Sequence, residues 1–144
     1  MSGRGLALVG ELGLIAIRDA GWPVDLVGGL TLGADPVAFA IAAASQVLPP
    51  SLDAFTVRKE AKQHGTGSRI EGAFHRGAYV VIVEDVITTG GSAQTAIDVV
   101  TEAGATVAGV LAVVDREEGG RQALETAAYP VVSLTTLREL SAMG

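Results

Sequence analysis

Apolar positions along the chain recur at two spacings, and the switches between them divide it into short segments. In GLALVGELGLIAIRDAG, residues 5–21, Leu8, Leu12, Ile15 and Ala16 fall at helical spacing and Gly21 supplies a terminating residue, so the segment predicts a helix. Residues 25–28 predict a short strand followed by a glycine-punctuated loop, after which Pro36 opens an alanine-rich helix through Val47. DAFTVRK, residues 53–59, alternates and is rich in β-formers, the pattern of a second strand. Residues 60–77 show no clean period and many charges, and predict a loop.

The next run, AYVVIVED at residues 78–85, is continuously apolar until its two acids, as in a central strand covered on both faces. Residues 92–105 predict a helix with Ser92 as N-cap and Gly104 closing it. A buried strand over 106–115, a helix over 117–128, a short strand over 130–134 and a last helix capped by Thr135 or Thr136 complete the chain. Strand and helix alternate throughout. That order predicts an α/β fold, with a mostly parallel central sheet flanked by helices, in one domain over residues 1–144.

Composition sharpens this picture. Half the chain is apolar (49%) but only 4% is aromatic, so Ala, Val, Leu and Ile must build the core, as expected where helices pack on a parallel sheet. Cysteine is absent, which excludes a disulfide framework and a thiolate metal site and is compatible with a reducing compartment. Apolar runs such as VAGVLAVV fall well short of the roughly 18 residues a membrane span needs. The first residues meet Glu11 too soon for a secretory segment, and a cytoplasmic protein without membrane association is expected. The net charge of -6 argues against nucleic-acid binding, which requires clustered cations. Yet Arg58, Lys59, Lys62, His64, Arg69, His75 and Arg76 hold seven of the 12 Lys, Arg and His residues, both lysines included. The cations are concentrated in one segment.

The chemistry centres on VVIVEDVITTGGS, residues 80–92. In open parallel sheets ligands bind beyond the carboxyl ends of strands, and Glu84 and Asp85 stand at such an end. The helix after Gly91 turns unpaired N–H groups and a positive dipole end towards the same crevice, a natural anion site. Thr88, Thr89 and Ser92 add hydroxyl donors, while Gly90 and Gly91 let the backbone approach closely. The loop can therefore hold a phosphate, and the carboxylates can accept hydrogen bonds from sugar hydroxyls or face a divalent cation. Other nucleotide motifs fail. No Gly-Lys pair exists for a Walker loop, and GTGSRI at residue 65 has Ile70 where a dinucleotide fingerprint needs glycine.

This stretch resembles the phosphoribosyl pyrophosphate (PRPP) signature of type I phosphoribosyltransferases. RKEAKQHGTGSRIEG, residues 58–72, is similar to the catalytic loop of the orotate phosphoribosyltransferases in particular. GGLTLGADPVA at residues 28–38 and VVDREEGG at residues 113–120 resemble that family's pyrophosphate loop and a base-site segment. The resemblance implies transfer of phosphoribosyl from PRPP to orotate, giving orotidine 5'-monophosphate and pyrophosphate in pyrimidine synthesis. It assigns Arg58, Lys59, Lys62 and His64 to the pyrophosphate, with Lys59, Lys62, His64 and Asp85 catalytic. Glu84 and Asp85 would hold the ribose hydroxyls and Thr88, Thr89, Gly90, Gly91 and Ser92 the 5'-phosphate, with Val86 and Ile87 also in the PRPP-binding stretch. Thr88 and Arg116 match positions that contact orotate, Arg116 offering a guanidinium fork to its carboxylate.

The same resemblance implies Mg2+ held mainly by substrate oxygens rather than by protein ligands, and a homodimer whose catalytic loop serves the neighbouring subunit. The family also has an N-terminal hood over the base. This chain begins at what looks like the following helix, so the expectation is a type I fold without a complete hood, with Gly33 where some members carry a pyrophosphate-binding lysine. Two other readings stay open: a PRPP-binding regulatory module, and a transferase for another base. Arg69, His75 and Arg76 read as soluble surface, and Trp22 as a packing residue or part of an exposed patch.

Overall fold

The computed structural model describes residues 1–64 and 67–144. Along them run α1 (Gly3–Asp19), β1 (Leu26–Leu30), α2 (Ala34–Val47), β2 (Asp53–Val57), β3 (Ile70–Gly72), β4 (Tyr79–Ile87), α3 (Gly91–Glu102), β5 (Thr106–Asp115), α4 (Gly120–Thr126), β6 (Val131–Thr136) and α5 (Leu137–Met143). The strands form a six-stranded sheet in the order β3-β2-β1-β4-β5-β6. All neighbours are parallel except β2 and β3. From β1 the chain winds outward through β2 and β3, then crosses to the other side of β1 as β4. Winding therefore reverses between β1 and β4.

The apolar run of β4 is central because both of its faces are covered. Val80 and Ile82 pack with Phe55, Ile97, Val100 and Leu124, beneath α3 and α4. Val81 and Val83 pack with Leu14, Ile17, Val37, Ile41 and Leu111, beneath α1 and α2. Small residues decide which side of α1 faces inward. Gly10, Gly13, Leu14 and Ile17 are its buried residues, whereas Leu8, Leu12 and Ile15 stay exposed, so the stripe that marks the helix in the sequence is not its core face. A Cβ on Gly10 would stand 2.4 Å from the Ala40 carbonyl oxygen, and one on Gly13 2.8 Å from Ile41 Cδ1. Only glycine permits that approach of α1 to α2.

Three local expectations are corrected. The segment 60–77 contains β3, a three-residue antiparallel edge strand that pairs Val57 with Ile70 and Phe55 with Gly72. It is too short to carry a period. Strand β4 continues to Ile87 instead of stopping at its acids, because Val86 and Ile87 still pair with Val114 and Asp115 of β5. Helix α3 is capped by Gly90 at φ 90° with no side-chain cap, which leaves Ser92 inside the first turn. Thr136 does cap α5, accepting from the Glu139 N–H at 3.1 Å. Trp22 is a packing residue, laid over Gly109 of β5. Among the described residues no helix is long and apolar enough to cross a membrane.

Candidate active site

Pairing between β1 and β4 ends at Gly28 with Ile82, after which the two strands part at their carboxyl ends. This is where winding reverses, and open α/β sheets hold their ligands at such a point. A cleft of about 400 Å³ opens there, lined by Leu30 from β1, Glu84, Val86 and Ile87 from β4, and Thr88, Thr89, Gly90, Gly91 and Ser92 from the following turn. The eight residues from 84 to 92 other than Asp85 thus share one cavity.

Side-chain alternation along β4 separates the two acids. Glu84 follows the face of Ile82 and is 6% exposed, with Oε1 buried and without a hydrogen-bond partner among the described residues. Burial, and secondarily the charge of Asp85, pushes its carboxyl up to about 7. Asp85 points the other way and is exposed. Its Oδ1 accepts from the Val86 N–H at 2.8 Å, and its carboxylate oxygens lie 2.9 Å from where a Cβ on Gly33 would stand. Glycine at 33 therefore leaves room for Asp85 beside the turn after β1. In that turn the Thr31–Leu32 peptide is cis, and Thr31 Oγ1 donates to Asp35 Oδ2 at 2.6 Å.

Across the cleft from Glu84 stands the start of α3. The first α3 bond beyond the cap runs from the Gln94 N–H to the Gly90 carbonyl at 2.9 Å. The N–H groups of Gly91, Ser92 and Ala93 precede it and have no intrahelical acceptor, so donors and the positive dipole end meet the cavity together. The turn after β5 docks alongside: the Arg116 N–H donates to the Ile87 carbonyl and the Gly120 N–H to the Thr88 carbonyl, both at 3.0 Å. The Arg116 side chain is half exposed, lies 3.8 Å from Glu118 and does not line the cleft. Asp115, absent from the sequence-based candidates, is buried and accepts from the Glu117 N–H at 2.8 Å, which folds the turn that carries Arg116. An acid at the end of a buried apolar run was its signal, the same one that marked Glu84.

The cation-rich segment lies on the far side of the Leu30–Leu32 turn. Arg58 and Lys59 line a second cleft of about 530 Å³ with Thr31 and Leu32. Lys62 and His64 line a third, of about 450 Å³, which Arg58 also reaches. Neither lysine nor His64 enters the cavity of Glu84. Arg69 is held rather than free: Nε donates to the Arg58 carbonyl at 3.1 Å and Nη2 to the Lys59 carbonyl at 2.5 Å. Glu71 of β3, which lies in the 58–72 motif but has no role assigned there, takes Lys62 at 2.5 Å and Arg58 at 3.6 Å on the same oxygen. The hydrogen bond and charge of Lys62 hold its carboxyl below the usual range. His75 and Arg76 remain exposed. Gly65 and Thr66, within the loop motif, lie outside the described residues.

The phosphoribosyl transferase domain family matches residues 5–135. An orotate phosphoribosyltransferase of Aquifex aeolicus is 51% identical over 116 residues, or 81% of this chain and 63% of that protein. One from Corynebacterium glutamicum is 47% identical over 137 residues, or 95% and 72%. The crystal structure of Mycobacterium tuberculosis H37Rv orotate phosphoribosyltransferase in complex with 5-phospho-alpha-D-ribosyl 1-diphosphate matches with a TM-score of 0.83 at 41% identity, covering 97% of this chain and 78% of that one. Since the family match extends over most of the sequence, and the sheet places its acids and glycine turn at the winding reversal, the chain belongs to the phosphoribosyltransferase family and, within it, to the orotate phosphoribosyltransferases.

Proposed function

We propose that residues 1–144 form one phosphoribosyltransferase domain that joins orotate to PRPP, giving orotidine 5'-monophosphate and pyrophosphate in cytoplasmic pyrimidine synthesis. One observation carries this reading above the rest: a buried carboxylate oxygen on Glu84, without a hydrogen-bond partner among the described residues, shares one cavity with the start of α3, which no side chain caps. A ribose 5-phosphate has hydroxyl donors at one end and a dianion at the other, and each end meets its complement there.

In this reading the N–H groups and hydroxyls of Thr88, Thr89, Gly91 and Ser92 hold the 5'-phosphate. Glu84 and Asp85 flank the ribose from opposite faces of β4 and accept from its hydroxyls. Their negative charge also favours the positive charge that develops on the ring as its bond to pyrophosphate breaks and a ring nitrogen of orotate takes its place. Arg58, Lys59, Lys62 and His64 receive the leaving pyrophosphate. Lys62 and His64 line neither the cavity of Glu84 nor the cleft at Thr31 and Leu32, which supports a homodimer in which some of these cations act on the neighbouring subunit's substrate. Thr88 and Arg116 are the orotate contacts in this reading, Arg116 by turning its guanidinium from Glu118 towards the cleft that it does not line in the structure.

Among the described residues no group of three His, Asp or Glu side chains could form a metal cage. Either Glu84 or Asp85 would supply at most one carboxylate to a magnesium ion that brings most of its ligands from substrate oxygens. When bound, that ion neutralises charge on the leaving group.

Loss of orotate absorbance on adding PRPP and Mg2+ tests the activity, and calorimetry with PRPP tests the site. Turnover is expected, together with severe weakening of PRPP binding in Asp85→Asn. PRPP binding with no orotate consumption at high protein concentration would leave a binding module instead, and unchanged affinity in the variant would remove the assignment of the acids.

A further inference from the structure

We propose that Glu71 is a positioning residue that acts as an internal stand-in for pyrophosphate, holding Arg58 and Lys62 on β3 until the diphosphate of the substrate displaces it. The inference rests on the reading of Arg58 and Lys62 as pyrophosphate ligands, and it gives a role to an acid at the end of the 58–72 stretch, to which that resemblance assigned none, in tuning how tightly that group is held.

Three features carry it. First, both cations converge on one oxygen, Glu71 Oε1, at 2.5 Å for Lys62 and 3.6 Å for Arg58. An arginine and a lysine meeting at one carboxylate oxygen reproduce the contact that one phosphate oxygen would make. Secondly, the carboxylate is fixed in register, because Glu71 pairs with Thr56 across the β2–β3 ladder and the Arg58 N–H donates to the Arg69 carbonyl at 2.6 Å. Arg69 clasps the carbonyls of Arg58 and Lys59 from the same hairpin, so the loop stem is braced while its side chains remain exchangeable. Thirdly, Glu71 lines the cleft that holds Arg58 and Lys59 against Thr31 and Leu32, the turn that resembles the pyrophosphate loop. Glu60, closer along the chain, makes no ion pair among the described residues. The stand-in is specific to Glu71.

The pair is solvent-accessible, each side chain being some two-fifths exposed, so it is weak enough to be exchanged and strong enough to be felt. A diphosphate carries more charge than one carboxylate and wins the exchange. When pyrophosphate departs, Glu71 recaptures the cations, which speeds release of a product that would otherwise bind too well.

Glu71→Gln and Glu71→Asp test this, with pyrophosphate and Mg2+ as the calorimetric probe. In Glu71→Gln, pyrophosphate affinity is expected to rise about two- to fivefold at low salt, the effect shrinking at high salt because it is electrostatic. KM for PRPP should fall while KM for orotate stays, and Glu71→Asp should return towards the parent. Without any substrate, trypsin should cut after Lys62 faster in Glu71→Gln, since the side chain is no longer held. Unchanged pyrophosphate affinity overturns the proposal, even with faster cleavage, because the ion pair would then not compete. Absence of pyrophosphate binding in the parent protein would instead remove the underlying assignment of the cations.

Discussion

Glu84→Gln should abolish a pH dependence of stability that one buried carboxyl creates. The group is 6% exposed and titrates near 7 in the folded chain against 4.5 in the unfolded one. Between those values the unfolded chain has lost this proton and the folded chain keeps it. The folded state therefore binds more protons, and stability falls as pH rises through the window. A shift of about 2.5 units at roughly 1.4 kcal/mol each makes the full penalty about 3 kcal/mol, present above about pH 7 and absent below about pH 4.5. Glutamine keeps the shape and removes the titration. Urea unfolding from about pH 4.5 to about pH 8 should show Glu84→Gln gaining on the parent by about 3 kcal/mol along the series. Parallel stability curves for the two proteins would refute the reasoning, since Glu84 would then be solvated or paired in the fold. Ligand binding should run the other way. A ribose diol donates to the ionised carboxylate, so PRPP affinity should climb with pH through the same window in the parent and less so in Glu84→Gln.

Gly29→Ala should lower stability by about 1–3 kcal/mol in urea unfolding, because its Cβ would stand 2.3 Å from the Val83 carbonyl oxygen and 2.7 Å from Ala34 Cβ. Gly120→Ala should weaken PRPP binding beyond any loss of stability, read by calorimetry beside thermal melting, since its Cβ would press within 2.6 Å of the Thr88 carbonyl and 2.7 Å of the Gly90 nitrogen. Arg69→Ala should cost about 1 kcal/mol in urea unfolding and speed tryptic cleavage in the loop, as two carbonyls lose their donor; a rate equal to the parent's would show that the backbone bond from Arg58 to Arg69 braces the stem unaided.

What was legible in the sequence is what depends on neighbours along the chain. The apolar run before Glu84, the glycines after Thr89 and the cations at 58–64 announce a strand, an anion turn and a charged loop without reference to anything distant. Several misses involve partners that only the fold brings together. Strand β3 exists because Ile70 and Gly72 find β2, not because three residues prefer extended backbone. Glu71 becomes a ligand of Lys62 through that pairing, so the 58–72 motif contained it without showing what it would hold. The buried face of α1 was not legible because Gly10 and Gly13 have no hydrophobicity to register, although their missing Cβ atoms set how near α2 can come. The separation of Glu84 from Asp85 is different in kind. A period of two, applied to adjacent residues of a strand, already sends them to opposite faces. If the strand had ended at Asp85 both acids could have turned into one cavity; since pairing with β5 persists to Asp115, the pleat is enforced through Ile87. On the proposed reading, the ribose is then held between the two faces rather than above one of them, with Glu84 on the phosphate side and Asp85 beside Gly33.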